Sequence, residues 1–510
     1  MAHGDLAHLG AVLGAGGTVA VLAVAGRRRT LLAGFALLVA AEACLAVALV
    51  PAHDLRRLES AKILGALVVA ALVVLGLAAL LVRRPALTAP LLLVAAPFRV
   101  SVHLGSQHAF LLLPLYGVLA AAVLAFLARA IRSPGTRPRP LPRLLAAAIA
   151  TFIALDALSL LWSKDVQQGS IELLFFLFPF AALVVAVASS PFPSWQPRVL
   201  AAVLVGLTSV FALIGLYERA THTLIYSPGL ETENTYTSYF RVNAVFKDPS
   251  LYGRYLAIGI AIVLTAHLLG GLRIAIAAGL IALLSAGLWF SYSQSSMAAV
   301  FIATVGIALV AGNRLTRRTV AVAAALVVAA AGSFVAVKES HHSARQVTSD
   351  RSRLVSVTWT VFRNHPLAGV GVGAQPRASQ EEAAQDTVTT RNRSHTTPLT
   401  VAAELGLVGI AAYLLLLAAA VRTLTDAVRR LGALGVGLAA VFLVIFVHSL
   451  FYAGFFEDPL TWGVLAVATA ALAVLSRAPL LTDALRPRPS GHDGKLDEIR
   501  ETTTRDPART

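Results

Sequence analysis

Long apolar segments alternate with short polar ones along most of the chain. About fifteen of these segments are long enough, or nearly so, to cross a hydrocarbon core of roughly 30 Å. The fourth segment is short, as in a half-helix or a re-entrant helix. The pattern predicts an all-α, polytopic membrane protein of about 14–15 transmembrane helices. The segments lie at about 9–26, 30–50, 61–82, 86–98, 109–131, 144–162, 171–189, 199–217, 250–270, 274–291, 297–312, 319–337, 399–421, 431–452 and 460–476.

The composition favours a membrane protein and excludes other classes. Of the 510 residues, 57% are hydrophobic and only 13% are charged, and no soluble domain of this length buries so much apolar surface. The net charge of +16 does not indicate nucleic-acid binding, because the arginines are scattered between apolar runs instead of forming one basic surface. The single cysteine, Cys44, excludes a disulfide framework and a cysteine-based zinc site.

The arginines in the short loops predict the orientation in the membrane. Arginine clusters follow the first, third, fifth, eleventh and thirteenth segments, which all end on one side. By the positive-inside rule that side is cytoplasmic. Two long polar loops, 218–249 and 338–398, then face outward, and the tail after Arg477 is cytoplasmic. The tail is rich in Pro, Asp, Glu and Thr, a composition typical of disorder.

These features divide the chain into five parts. N-terminal transmembrane helices (1–149) precede a second group of transmembrane helices (150–337) that contains the first outer loop, 218–249. A large extracytoplasmic loop (338–398) leads into the C-terminal transmembrane helices (399–476). A disordered cytoplasmic tail (477–510) follows.

The first outer loop ends in the start signal of a helix with three cations beside it. In "RVNAVFKDPSLYGRY", Asp248-Pro249 is typical of a capped helix start. The free amides of that helix end, together with Arg241, Lys247 and Arg254, would suit a pyrophosphate. The alternative is an ordinary capped helix with cations at the membrane interface.

The second outer loop contains a glycine-rich turn, "NHPLAGVGVG". Its glycines, among them Gly371, do not have the spacing of a nucleotide-binding loop. His365 and Pro366 before them indicate a tight turn that brings the backbone near a ligand.

The same loop closes with "RNRSHTTPLTVAAELG", in which a cationic strip runs into an apolar helix. His395 is a candidate general base, since imidazole titrates near neutral pH. Arg391 and Arg393 are candidate ligands of an anionic leaving group. Glu404 lies inside the helix and must be paired, protonated or facing a cavity. The alternative is a basic loop that anchors a helix end, with a histidine that meets only water.

Two further polar residues lie within predicted spans, Asp156 in the sixth and His448 near the outer end of the fourteenth. Either is accounted for by a hydrogen bond between helices.

Taken in order, these stretches resemble the O-antigen ligase and polymerase family of bacterial polysaccharide assembly. The similarity covers about residues 150 to 475 and depends on the order of several motifs. The motifs are Arg241 followed by Phe246-Lys247-Asp248-Pro249 and Gly253, the Ser-rich "SYSQSS" at 291–296, the turn from His365 to Gly371, and His395, Leu399, Glu404, Gly406 and Gly409.

The resemblance implies a membrane-embedded, inverting glycosyltransferase with a fold similar to the polyprenol-dependent (GT-C type) class. Such enzymes transfer a glycan from undecaprenyl diphosphate to an acceptor hydroxyl at the outer face of the inner (plasma) membrane, without a metal, ATP or another cofactor. The implied partners are this lipid-linked donor, a glycan or lipid acceptor and membrane lipids, but no nucleic acid. His395 is implied as the base and Arg241 as a ligand of the pyrophosphate.

The chain departs from the family pattern at two positions. Ser296 stands where the family often has an arginine, and Thr396 follows His395 where an asparagine is common. Arg254, Arg391 or Arg393 would then replace the missing cation. The sequence leaves ligase and polymerase equally open. It also leaves two alternative functions, a transporter or flippase for lipid-linked glycan and a divergent non-catalytic family member.

Overall fold

The computed structural model describes residues 3–23, 27–50, 61–104, 107–132, 141–226, 228–236, 239–315, 317–322, 325, 351–382 and 394–475. Arg391 and Arg393, most of the twelfth predicted segment and the C-terminal tail lie outside these residues.

The N-terminal half of the described chain contains nine helices and one β-hairpin. The helices are α1 (His3–Leu22), α2 (Arg28–Leu49), α3 (Ala61–Arg83), α4 (Thr88–Ala95), α5 (Leu113–Arg132), α6 (Arg143–Ser159), α7 (Val166–Glu172), α8 (Phe178–Ala188) and α9 (Gln196–Thr221). A π-helical turn, Leu173–Leu177, joins α7 to α8. The hairpin pairs β1 (Val100–Leu104) with β2 (Gln107–Leu111) in antiparallel register.

The described C-terminal half contains nine further helices. They are α10 (Pro228–Thr235), α11 (Pro249–Gly270), α12 (Ile274–Ser291), α13 (Gln294–Ala311), α14 (Arg351–Asn364), α15 (Gln375–Glu382), α16 (Thr397–Leu431), α17 (Ala433–Ser449) and α18 (Pro459–Leu475). The three short helices α10, α14 and α15 lie in the two predicted outer loops, which therefore hold more regular structure than their polar composition indicates.

The predicted fold class is confirmed. Within the described residues, eleven helical stretches are long and apolar enough to cross a membrane, and three shorter apolar helices accompany them. These fourteen coincide with fourteen of the fifteen predicted segments. The short fourth segment is a 3₁₀ turn followed by α4, and the hairpin β1–β2 after it is an addition that the apolar pattern did not predict.

One apolar core connects the two halves of the chain. Buried side chains from α1, α6, α8, α11 and α16 to α18 belong to a single cluster. Small residues let the first two helices approach closely: a Cβ atom at Gly17 would lie 2.9 Å from the carbonyl oxygen of Gly34. Glycine at such contacts is the usual means of packing helices in membranes, where apolar surface alone gives no preference for protein over lipid.

Candidate functional site

Helix α16 is interrupted near its N-terminal end, and the glycine-rich turn of the preceding loop fills the interruption. Gly406 has φ +64° and ψ −157°, which breaks the helical hydrogen-bond pattern. Amides of the turn donate to two carbonyls before the break, and amides after the break donate to two carbonyls of the turn. These pairs are Val370 N to Ala403 O (3.0 Å), Gly371 N to Glu404 O (2.8 Å), Leu407 N to Pro366 O (2.8 Å) and Val408 N to Leu367 O (3.4 Å). The turn therefore satisfies backbone groups that the break leaves open.

Two glycines of the turn are required by conformation as well as by space. Gly369 has φ +64° and Gly371 has φ +91°. A Cβ atom on Gly369 would overlap the Glu404 carbonyl group, and one on Gly371 would overlap Ser163. The sequence predicted that this turn brings backbone near a ligand. The structure places the turn against the protein's own helix α16, and its approach to a ligand stays a prediction.

His365 belongs to a charged cluster that fastens the loop to the start of α7. Its Nε2 lies 3.1 Å from Glu382 Oε1 and 3.5 Å from Lys164 Nζ. Glu382 also accepts hydrogen bonds from Lys164 (3.0 Å) and Asn364 (2.9 Å). Partial burial raises the pKa of the Glu382 carboxyl, but the donors from Lys164, Asn364 and His365 outweigh it and hold the pKa below its ordinary value. His365 thus supports the loop.

Glu404 is 7% exposed and faces a small cavity, one of the outcomes that the sequence left open. Its Oε1 accepts a hydrogen bond from the backbone amide of Gln375 (3.2 Å). The side chain of Gln375 in turn accepts from the amide of Ser394 (3.2 Å). Gln375 therefore links Glu404 to the residue before His395. Sequence reasoning missed Gln375, since a single glutamine at a helix start carries no recognisable signal.

His395 lies two residues before the start of α16 and has an unusual backbone conformation. Its φ of +56° is in the left-handed region, which costs a non-glycine residue roughly 1 kcal/mol or more and is concentrated at functional sites. The His395 ring centroid lies 6.1 Å from that of Tyr452, and Tyr452 lies 5.2 Å from His448. His448 donates from Nε2 to the carbonyl of Ser250 (3.1 Å). The predicted inter-helix hydrogen bond of His448 is confirmed, and it joins α17 to the start of α11.

The three cations predicted around the start of α11 have different environments. Arg254 is 1% exposed and forms an ion pair with Asp458 (2.8 Å), while its Nε and Nη1 atoms have no hydrogen-bond partner among the described residues. Arg241 donates from Nε to the Ser291 carbonyl (3.3 Å), and its main chain is held by the side chain of Asn234. Lys247 is exposed. Asp248 caps α11 by accepting from the Ser250 amide (2.6 Å), as the sequence predicted.

A further cation, Arg99, enters the site from the start of the hairpin. It donates to the carbonyl of Glu457 (3.3 Å), and Tyr226 donates to the Arg99 carbonyl (3.1 Å). Burial raises the pKa of the Tyr452 hydroxyl above its ordinary value, and Asp248 also raises this pKa, while Arg254 and Arg99 lower it. The Tyr452 hydroxyl is therefore protonated at physiological pH. Neither Arg99 nor Tyr452 was singled out from the sequence, because Arg99 lies in a short link between apolar segments and Tyr452 is the last residue of the fourteenth segment.

Residues 278–414 match the family model described as O-antigen ligase. The match supports assignment to the O-antigen ligase family. It includes His365, His395 and Glu404, but the cations at the start of α11 lie outside it. No curated protein matches the chain.

The serine at the O-antigen ligase family's arginine position has a structural role. Ser296 is fully buried, and its hydroxyl donates to the Ser250 carbonyl (3.2 Å). Ser293 caps α13 through the Ser296 amide (3.3 Å). A Cβ atom on Gly253 would lie 2.8 Å from the Ser296 hydroxyl. This close contact between α11 and α13 leaves no space for a longer side chain at position 296 without moving one of the two helices.

Proposed function

We propose that the protein is an integral-membrane glycan ligase or polymerase that transfers a polysaccharide from undecaprenyl diphosphate to an acceptor hydroxyl. The O-antigen ligase match carries this proposal, because the matched residues include the turn at 366–371 that completes α16 and the candidate base His395. A fold of the GT-C type and a location in the inner (plasma) membrane belong to the same proposal. The two outer loops are extracytoplasmic in it and the C-terminus is cytoplasmic, so a cysteine introduced at Thr232 should react with a membrane-impermeant reagent.

In the proposed reaction His395 takes the proton of the acceptor hydroxyl. The hydroxyl oxygen attacks the anomeric carbon of the donor sugar, and the bond from that carbon to the diphosphate oxygen breaks with its electron pair, inverting the configuration. A diphosphate is already a good leaving group. The protein therefore needs mainly a base and cations that stabilise the departing charge, and no metal is required for either role.

The cations Arg241, Lys247 and Arg254 are the proposed ligands of the pyrophosphate, together with Arg391 and Arg393. The geometry of Arg254 supports this role most directly. Its Nη2 atom forms the ion pair with Asp458, while Nε and Nη1 have no hydrogen-bond partner among the described residues. A buried guanidinium with free donors suits a phosphate oxygen. Glu404 and Gly371 support the site by holding the outer loop against α16, and His365 supports it by fastening the loop to the start of α7.

The broken helix α16 is the one observation that favours a transporter, because discontinuous helices form the substrate sites of many transporters. In those sites the backbone groups at the break are available to bind substrate. Here the turn at 366–371 hydrogen-bonds the groups on both sides of Gly406. The break therefore serves to attach the outer loop. This arrangement suits a transferase better than a transporter.

A transfer assay with purified, full-length protein and a synthetic undecaprenyl-diphosphate glycan tests the proposal. Removing a general base lowers turnover by about 10²–10⁴-fold, so His395→Ala should bind the donor and transfer very little. His267→Ala is a matched control, since it lies ~28 Å along α11 from Asp248, in the last turn of the helix. Wild-type turnover in His395→Ala would end the catalytic assignment.

A further inference from the structure

A buried carboxylate at the end of α9 holds two separate segments of the loop 218–249. Glu218 lies in the last turn of α9 and is fully buried. Its Oε1 accepts a hydrogen bond from the backbone amide of Ile225 (3.0 Å). Its Oε2 accepts from the amides of Asn243 (3.1 Å) and Ala244 (2.8 Å). One side chain therefore fixes the start of the loop relative to the segment that leads into α11.

Both the carboxylate and the backbone that it holds are in unfavourable states. A carboxylate withdrawn from water loses its hydration, and the last turn of a helix is the end at which the helix dipole disfavours negative charge. Ala244 has φ +48°, in the left-handed region that is unfavourable for a residue with a Cβ atom. Strained backbone is concentrated at functional sites. The hydrogen bonds from Glu218 keep this conformation in place.

The segment that Glu218 holds includes a proposed ligand of the pyrophosphate. Arg241 lies two residues before Asn243, and its Nε donates to the Ser291 carbonyl (3.3 Å). On the other side, the Asn243 side chain donates to the Phe246 carbonyl. The main chain from 241 to 246 is thus fastened through residues that bond to Glu218 directly or follow it closely.

We propose that Glu218 is a positioning residue, whose carboxylate holds the segment 241–247 in the conformation in which the Arg241 guanidinium meets the diphosphate of the donor. The inference rests on the proposed function, in which Arg241 is a ligand of the pyrophosphate. Nη1 of Arg241 lies 3.8 Å from the mostly exposed carboxylate of Glu233. Exposed pairs of this kind contribute little, so a diphosphate can replace Glu233 there.

Charge and position predict opposite effects for Glu218→Gln. The substitution removes a negative charge close to the proposed site, which by Coulomb attraction alone would tighten the binding of an anion. Glutamine has one acceptor oxygen instead of two, and its NH₂ group would face a backbone N–H. The segment 241–247 then loses part of its attachment. Positioning by Glu218 therefore predicts weaker binding, and the sign of the change separates the two effects.

The test measures binding of farnesyl diphosphate, a short polyprenyl diphosphate, to the full-length protein in phosphatidylcholine nanodiscs by calorimetry, with empty nanodiscs as background. Losing a charge-assisted contact lowers affinity by about tenfold or more, and Glu218→Gln should show a loss of this size. Glu231→Gln makes the same chemical change at an exposed position of the same loop and should change the affinity by less than about threefold. Unchanged or tighter binding in Glu218→Gln would overturn the proposal.

A double-mutant cycle shows whether Glu218 acts through Arg241. A general loss of structure would weaken binding by the same factor in the wild-type and Arg241→Ala backgrounds. Positioning predicts that Glu218→Gln weakens binding by a factor at least about threefold smaller in the Arg241→Ala background. Equal factors would overturn the proposal. If Glu218→Gln does not accumulate, Glu218→Asp replaces it, since aspartate keeps the charge but is one methylene too short to reach both segments.

Hydrogen exchange measures the position of the loop itself. In a peptide covering 239–248, the amides of Asn243 and Ala244 should exchange at least about tenfold faster in Glu218→Gln than in wild type. Unchanged exchange would overturn the proposal, and so would a wild type that binds no diphosphate, whatever a transfer assay shows. Diphosphate binding that follows the predicted pattern, without transfer from a lipid-diphosphate glycan, would refute the transferase function and leave the role of Glu218 standing.

Discussion

Replacing Asp458 by asparagine should destabilise the protein far more than an ordinary surface change. Asp458 and Arg254 are each 1% exposed and lie 2.8 Å apart. Neutralising one partner leaves the other charge buried without a counter-ion, which typically costs about 3–5 kcal/mol. Because neither side chain meets water, solvent screening does not reduce this figure. We expect Asp458→Asn to lower the free energy of unfolding by about 3 kcal/mol.

A double variant separates stability from donor binding. Arg254→Met combined with Asp458→Leu removes both charges and fills the space with apolar side chains. Such replacements of a buried pair are often neutral or stabilising by about 1–4 kcal/mol. The double variant should therefore regain wild-type stability. It should remain inactive in transfer, because Arg254 is a proposed ligand of the pyrophosphate.

Unfolding by SDS in mixed micelles, followed by tryptophan fluorescence, measures these changes. Trp462 is a convenient reporter, since it is buried four residues after Asp458 and donates to the Phe456 carbonyl. Asp426→Asn serves as the control and should change the free energy of unfolding by less than about 0.5 kcal/mol. A similarly small change in Asp458→Asn would refute the buried ion pair. Full transfer activity in the double variant would remove Arg254 from the pyrophosphate site.

Three other predictions concern the loop before α16 and Arg241. Gly371→Ala introduces a Cβ atom at φ +91° against Ser163, so it should lower the thermal unfolding midpoint strongly, whereas Gly279→Ala, with nothing within 4 Å, should not. Arg241→Lys keeps the charge but loses the bidentate geometry, so transfer rates should fall from wild type to lysine to alanine at equal protein levels; equal rates would make Arg241 an interfacial anchor. The pKa of Glu382 is lower folded than unfolded, so its stabilisation is present above the ordinary value of 4.5 and lost as the pH falls further. Unfolding midpoints of wild type and Glu382→Gln should therefore differ at pH 7 and converge as the pH falls below the lowered pKa of Glu382; a constant difference would contradict the lowered pKa.

The helices could be predicted because the bilayer imposes one simple requirement on sequence. Each span needs a long apolar run, and every run that the structure describes is a helix. The hairpin at 100–111 was missed because its strands are only five residues each and the second runs directly into the apolar start of α5. A short alternating pattern next to a longer apolar run gives too weak a signal to separate the two.

The site could be predicted only as far as its members are close in sequence. His395 and Glu404 lie in one stretch, and the sequence correctly placed the acid where it must face a cavity or a partner. The contacts that complete the site join distant segments: Arg99 reaches Glu457 across 358 residues. Such pairs depend on how the helices pack, which no local pattern records. The same limit explains why the sequence suggested only a hydrogen bond between helices for Asp156.

The break at Gly406 has a consequence for how the protein is made. Until the turn at 366–371 reaches it, the N-terminal end of α16 has open backbone amides and carbonyls, which are poorly tolerated in hydrocarbon. That end of the helix can settle stably in the membrane only after the preceding loop has been delivered to the same side and folded against it. Biogenesis should therefore couple loop translocation to helix insertion. A substitution that prevents this loop from folding would then also prevent α16 from inserting stably into the membrane.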